Sequence, residues 1–238
     1  MTSTEGQHEA DALVERLKPA ALERLAERAK VDLEPGVVAR AAGVDVEDVR
    51  RHFPDQEALL SALVMGGYNA IGASAEVAGE AAVAADLDPM GRWAAVWQGA
   101  REWAVTHPEE YVLLWGRPVP GYVAPEESVV AAARLVLVMA AILRDAQKAG
   151  ELTGDRPGEG PLSEGMQQNA DSLSSGLLAG LPDSVIARMF VVWTQLHGLL
   201  TLEVNNHLAA VAVAPTSVFE YATEAMGEYI GLSRKAAG

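Results

Sequence analysis

The chain has 238 residues, half of them apolar, with no cysteine and a formal net charge of −15 at pH 7. This length is ample for a buried core, and the lack of cysteine excludes disulfides, a thiol nucleophile and cysteine-ligated metals. A net negative charge disfavours accidental affinity for nucleic acids and anionic lipids. The polar, acidic start predicts no signal peptide, so we expect a cytoplasmic protein with no membrane partner.

The first part of the chain predicts three helices. Apolar residues recur at helical spacing over 10–31, which indicates the first helix. Pro35 suits the first turn of a second helix, and Gly43 supplies the tight turn after it. Asp45 is placed to cap a third helix, which ends near Phe53.

Beyond residue 55 the patterns again predict helices. One begins near Gln56, and others are predicted over 86–106, 107–114, 128–149, 183–210 and 217–235, with a weaker one ending near 181. Proline and glycine predict a rigid loop at 118–122 and a linker at 150–165. No segment alternates convincingly with the period of a strand. We therefore predict an all-α fold, with a three-helix helix-turn-helix head at 1–55 and a larger helical ligand-binding and dimerisation domain at 56–238.

Two separated motifs indicate a family. The head carries Ala39, Ala42-Gly43-Val44, Arg51-His52-Phe53, Pro54-Asp55 and Leu59-Leu60. Residues 191–208 carry Trp193, His197-Gly198, Leu202-Glu203 and His207. In this order the motifs resemble the TetR family of bacterial one-component regulators, and the second motif, together with 107–122, resembles its WHG-type C-terminal domain. The resemblance implies a head that reads an operator and a helical domain that senses a small molecule.

The resemblance also implies a homodimer, because the last two long helices of the family pair with their twins. It assigns 183–210 and 217–235 to dimerisation. Val185, Met189 and Val192 begin a broad apolar surface on the first of these, and Gly198 permits close helix approach. A buried core helix would show the same pattern, so the residues leave both interpretations open.

The predicted head is acidic. Residues 1–64 contain eight Lys and Arg against thirteen Asp and Glu, a net charge of 8 − 13 = −5. Carboxylates fall at Asp45, Glu47 and Asp48, where the family usually has small or hydroxylated residues. Gln56 stands where a phosphate-binding lysine is common. Because phosphate contacts dominate affinity for DNA, these carboxylates argue against tight DNA binding.

The candidate DNA-contacting residues lie on the second and third predicted helices. They are Arg40, Asp45, Arg50, Arg51 and His52. Asp45 is included because a carboxylate can accept a hydrogen bond from cytosine N4. The packing residues of the motif indicate only that the fold is kept, so they do not decide whether the head binds DNA.

The candidate ligand residues combine aromatic and polar side chains. They are Trp93, Trp97, Arg101, Trp115, Arg117, Met139, Gln195 and His197. Apolar walls with a few polar groups are typical of small-molecule sites. For each aromatic residue an ordinary place in the core explains the pattern as well, and His197 is equally well explained as a core histidine.

No catalytic, metal or cofactor site is expected. The five histidines lack metal-ligand spacing, and no P-loop, dinucleotide-binding glycine pattern or nucleophile elbow occurs. The leading hypothesis is a homodimeric, ligand-responsive repressor that senses an apolar small molecule. One alternative is that the head has lost DNA binding and the helical cavity has been repurposed for small-molecule binding or catalysis. Another is a partner-binding protein whose acidic head docks a basic protein or mimics nucleic acid.

Overall fold

The computed structural model describes residues 2–26, 33–154 and 159–233. Ten α-helices account for their regular structure: α1 Thr2–Ala26, α2 Pro35–Ala42, α3 Val46–His52, α4 Gln56–Ala84, α5 Pro89–Thr106, α6 Pro108–Trp115, α7 Ser128–Lys148, α8 Glu164–Ser174, α9 Asp183–Val204 and α10 Pro215–Ile230. A short 3₁₀ turn covers Leu208–Ala210. Across these ranges the β-structure amounts to an isolated bridge between Leu152 and Leu232. The predicted all-α fold is confirmed.

Several predicted helix ends differ from the observed ones. Helix α1 starts at Thr2 rather than at residue 10, and the predicted stretch 27–31 lies outside the described residues. Helix α5 starts at Pro89 rather than at residue 86, because Asp86 takes a left-handed φ of 55°. Helix α8 stops at Ser174, before the predicted end near 181.

The two helices predicted to dimerise are both shorter than expected. Helix α9 ends at Val204 instead of residue 210, because Asn206 adopts a φ of 63°. Helix α10 starts at Pro215 and ends at Ile230, where Gly231 caps it with a φ of 117°. A residue with a Cβ rarely adopts such angles, so the glycine stops the helix there. Residues 234–235 of the predicted helix lie outside the described part.

The chain divides into two compact units. The first comprises 1–70 and 107–132, and the second comprises 71–106 and 133–238. Helices α4 and α7 each contribute residues to both units. The boundary predicted after residue 55 stays a prediction.

The first unit contains the predicted head and helix α6. Its core is formed by apolar residues of α1 to α4, including Leu17, Val38 and Val49, and by Phe53 just after α3. An ion pair at 3.0 Å also joins Lys18 of α1 to Glu110 of α6, and both side chains are largely buried. Burial opposes the charge of Lys18, but hydrogen bonds to Glu15 and Glu110 outweigh it and raise the pKa of Lys18. The ammonium therefore stays charged inside the unit.

The second unit is built around the tryptophans of α5. Trp93 and Trp97 are fully buried, and Trp93 Nε1 donates to the carbonyl oxygen of Thr223 on α10 at 3.2 Å. Arg101, one turn after Trp97, donates to both carboxylate oxygens of Glu203 on α9. Its guanidinium also lies 5.2 Å from the ring centroid of Phe219. Helix α5 is thus fixed to both α9 and α10.

Two helices, α4 and α9, are long and apolar enough to cross a membrane by length and composition. About half of the apolar window of each is buried in the protein, 44% for α4 and 50% for α9. A buried core helix passes the same test, so the two helices are weak support for a membrane span.

Candidate DNA-binding head and ligand groove

Helices α2 and α3 form the two arms of the helix-turn-helix. Gly43 ends α2 in the left-handed conformation, with a φ of 66°. The amide of Val44 then donates to the carbonyl oxygen of Ala39 at 2.9 Å, which closes the turn. Ala39 and Val49 are fully buried and hold the two arms together.

Three acidic side chains of the head cap helices. Glu34 caps α2 by accepting from the amide of Val37 at 2.9 Å. Asp45 caps α3 by accepting from the amides of Glu47 and Asp48 at 2.9 and 3.0 Å. Asp55 accepts from the amide of Ala58 at 2.8 Å, at the start of α4. A carboxylate is a good N-cap because it satisfies free amides and complements the helix dipole.

Two of the predicted DNA-contacting arginines are engaged by carboxylates within the head. Arg50 donates to Glu34 at 2.8 Å, and Arg51 donates to Asp48 at the same distance. The hydrogen bond from Arg50 lowers the pKa of Glu34, so this carboxylate is ionised at neutral pH. Both arginines remain well exposed, with 54% and 70% of their side chains accessible. Their charge is therefore shared between an internal partner and solvent.

Of the other residues discussed for DNA contact, Arg40 makes no side-chain interaction within the described part of the head, whereas His52 and Gln56 do. Arg40 is exposed at the end of α2, and over the described ranges its guanidinium has no ion pair or hydrogen bond. The Nδ1 atom of His52 lies 3.0 Å from the carbonyl oxygen of Asp48. Gln56, in place of the usual lysine, accepts from the amide of Leu33 at 3.1 Å. Gln56 therefore secures the chain ahead of α2 rather than offering a positive charge.

Among the described residues, Glu47 is the carboxylate of α3 that neither caps a helix nor pairs with an arginine. It is exposed in the first turn of the helix, and no hydrogen bond or ion pair of its side chain occurs within the part that the structure describes. Its negative charge is therefore the least compensated on the third helix.

The predicted ligand residues are distributed over both units. Trp115 and Arg117 belong to the first unit, and the other six belong to the second. Trp93, Trp97 and Met139 are fully buried in the core. The second-unit polar candidates differ: Arg101 is paired with Glu203, Gln195 is exposed, and His197 is buried. Whether any of the eight contacts a ligand stays a prediction.

A groove of about 440 Å³ lies in the second unit between α4, α5 and α7. It is lined by Glu76, Gly79, Glu80, Val83, Ala84, Arg92, Val138, Ala141 and Ile142. None of these residues was a sequence candidate, because no motif marks them. The available signals were Gly79 inside an otherwise helical pattern and the two carboxylates at i and i+4, which place a small residue and charge on one side of α4.

His197 is a buried histidine on α9. Its ring packs edge-on against Trp193, with ring centroids 4.9 Å apart. Burial lowers the pKa of His197 to about 4. The imidazole is therefore neutral at physiological pH, which suits an apolar environment and not an ion pair.

The match to known proteins agrees with this architecture. A family model described as the C-terminal domain of tetracycline-repressor-like proteins matches residues 93–226, more than half of the chain. The chain therefore belongs to the TetR family of transcriptional regulators.

Named relatives include transcriptional regulators, and solved structures share the fold. The HTH-type transcriptional regulators Rv1816 of Mycobacterium tuberculosis and Mb1846 of Mycobacterium bovis are each 29% identical over 78% of this chain and 78% of their own. SCO4313, a protein provisionally assigned as regulatory, shares the fold with a TM-score of 0.66 and 23% identity over 92% of this chain and 97% of its own. A protein of unknown function from Rhodococcus sp. RHA1 gives 0.63 and 26% over 93% and 96%.

The low pKa of His197 predicts a loss of stability in mild acid. At pH values between the ordinary pKa of 6.5 and the folded pKa of about 4, His197 is protonated in the unfolded chain and neutral in the folded one. We expect the free energy of unfolding to be about 1 kcal/mol lower at pH 5.5 than at pH 7.5 through this residue. Urea unfolding of the natural chain and of His197→Gln at both pH values measures the difference.

His207→Gln is the matched control, because His207 is exposed. This variant should keep the full pH dependence, whereas His197→Gln should lose about 1 kcal/mol of it. An unchanged pH dependence in His197→Gln would show that His197 is not the responsible group.

Proposed function

We propose that this TetR-family regulator is a cytoplasmic, homodimeric repressor that binds an operator through its head and releases it when an apolar small molecule occupies the body. The observation that carries the proposal is the complete helix-turn-helix, with Arg40, Arg50 and Arg51 exposed on it. Its acidic residues Glu34 and Asp45 are used as helix caps, so their charge has a structural explanation. Release of the operator on ligand binding would follow from a change in the spacing of the two heads, since a dimer reads two half-sites at a fixed separation.

The surface of α9 supports the proposed homodimer. Val191, Thr194, Gln195, Gly198 and Leu202 are exposed and share one side of the helix. None of them carries a charge, and Val191 and Leu202 are 45% and 43% exposed. An uncharged helix face with exposed apolar residues among polar ones is typical of an interface. Gly198 at its centre would allow a second helix to approach closely.

A second candidate function follows from the charges of α3. Arg50 and Arg51 already have carboxylate partners, and Glu47 adds an uncompensated negative charge. If these terms outweigh the remaining phosphate contacts, the head no longer binds DNA. The helical body would then bind, or act on, a small molecule by itself, because a fold does not determine a function.

The proposed operator contact of Arg40 predicts a specific salt dependence. Arg40→Ala should weaken binding to a palindromic duplex and reduce the slope of log affinity against log salt by about one. Glu47→Gln should strengthen binding, because it removes a carboxylate that caps no helix. Fluorescence anisotropy with a duplex selected from a randomised pool measures both effects. Arg40 is a cleaner probe than Arg50, because replacing Arg50 would also remove its hydrogen bond to Glu34.

Lys148→Ala is the control for nonspecific loss of positive charge, since Lys148 is exposed at the end of α7 and lies in the second unit. It should leave affinity and slope unchanged. If Arg40→Ala behaves like Lys148→Ala and Glu47→Gln does not raise the affinity for DNA, the head does not bind DNA.

The proposed dimer predicts that a large side chain at position 198 produces monomers. A Cβ on Gly198 meets no atom within 4 Å in the single chain, so Gly198→Arg leaves the folded subunit intact. Across a close helix–helix interface the same side chain would clash and bury a charge. Analytical ultracentrifugation should therefore find a folded monomer, with an unchanged helical circular dichroism spectrum.

Gly165→Arg supplies the comparison, because Gly165 also lies in a helix and has equally open surroundings. It should remain dimeric. A Gly198→Arg protein that sediments as a dimer would remove α9 from the proposed interface.

A further inference from the structure

The groove in the second unit has a largely apolar lining. Its floor is formed by Gly79, Val83 and Ala84 of α4 together with Val138, Ala141 and Ile142 of α7. Its volume of about 440 Å³ lies within the range of about 300–1,000 Å³ typical of small-molecule sites. Val83 is 55% exposed, which is high for an apolar residue in a concave surface. An apolar ligand would cover such surface and remove it from water.

The charged residues of the groove are not balanced. Arg92 donates to Asp145 at 3.0 Å, and Glu76 accepts from Arg134 at 2.9 Å. Each of these charges thus has an opposite partner. Glu80 is exposed on the rim, and no hydrogen bond or ion pair of its side chain is found among the described residues. The groove therefore carries one uncompensated negative charge.

We propose that this groove binds an amphipathic organic cation, a protonated or quaternary amine with an apolar body, and that Glu80 is its counter-ion. The apolar body would lie on the α4–α7 floor, with the cation beside the Glu80 carboxylate. An anionic amphiphile would meet the same carboxylate, while Arg92 is already engaged by Asp145. This inference rests on the proposed ligand-responsive function, because it names the class of molecule that the body would sense.

The net charge of the chain acts in the same direction. At −15 the protein raises the local concentration of cations over its whole surface. That field is not specific to the groove, so a site at Glu80 must be distinguished from general attraction. A charge reversal at Glu80 and an equal reversal elsewhere in the same unit make this distinction.

The test is calorimetric titration with three probes of equal chain length: decyltrimethylammonium, decanol and decyl sulfate, each below its micellar concentration. The natural chain should bind one decyltrimethylammonium per subunit, more tightly than decanol, and decyl sulfate most weakly. Glu80→Lys should weaken the cation by roughly tenfold and strengthen the sulfate, which inverts the order. Equal affinities, or a preference for the sulfate in the natural chain, would overturn the proposal.

Two further variants locate the site. Glu102→Lys makes the same charge change at an exposed position of α5 outside the groove, and it should leave the order of the probes unchanged. Ala141→Trp fills the groove from α7 and should abolish binding of all three probes while the unfolding midpoint is maintained. Binding that survives Ala141→Trp, or an inversion that Glu102→Lys reproduces, would place the cation elsewhere and refute the assignment.

Because these titrations contain no DNA, they test the groove separately from the repressor function. A cation that binds with the expected dependence on Glu80 but does not alter operator affinity would contradict ligand-responsive release and leave the groove assignment standing. Loss of cation preference, with operator binding intact, would contradict the groove alone.

Discussion

The head depends on N-caps for two helices that are too short to be stable alone. Helices α2 and α3 have only eight and seven residues, whereas isolated helices shorter than about 12–15 residues are marginal in water. Glu34 and Asp45 accept the free amides at their starts, and a cap of this kind contributes about 1 kcal/mol. The same carboxylates put negative charge on a surface that would meet phosphates. Fold stability and DNA affinity therefore make opposite demands on these positions.

The arginines show how the two demands are combined. Arg50 reaches back to the Glu34 cap, and Arg51 pairs with Asp48 one turn earlier on α3. Exposed pairs of this kind are weak, usually below about 1 kcal/mol, so phosphates can compete for both guanidiniums. The internal pairs keep the arginines in place without holding them strongly. An acidic head of this design is compatible with DNA binding, although at a lower affinity than a head without these carboxylates. Glu47 is the main charge that opposes binding.

Much of the fold could be predicted from the sequence, because local signals are strong where helices start and stop. Pro35, Gly43 and Asp45 marked the turn of the motif, and helical spacing marked the long helices. The predicted C-terminal ends of α9 and α10 were wrong, because Asn206 and Gly231 take left-handed backbone angles. The spacing of apolar residues does not indicate such angles. The candidate site was less predictable. The ion pair between Glu34 and Arg50 joins residues 16 positions apart. The groove lies between α4 and α7, a pairing of helices that only tertiary packing decides.

The proposed repressor function requires that this acidic helix-turn-helix still reads DNA. The most direct measurement is selection of bound sequences from a pool of randomised duplexes at low salt. The affinity for the most enriched duplex is then measured across a salt series. A head that reads DNA should enrich a palindromic site with two half-sites about one helical turn apart, and its affinity should fall as salt rises. A folded protein that enriches no sequence, at salt low enough to favour phosphate contacts, would contradict the proposed repressor function.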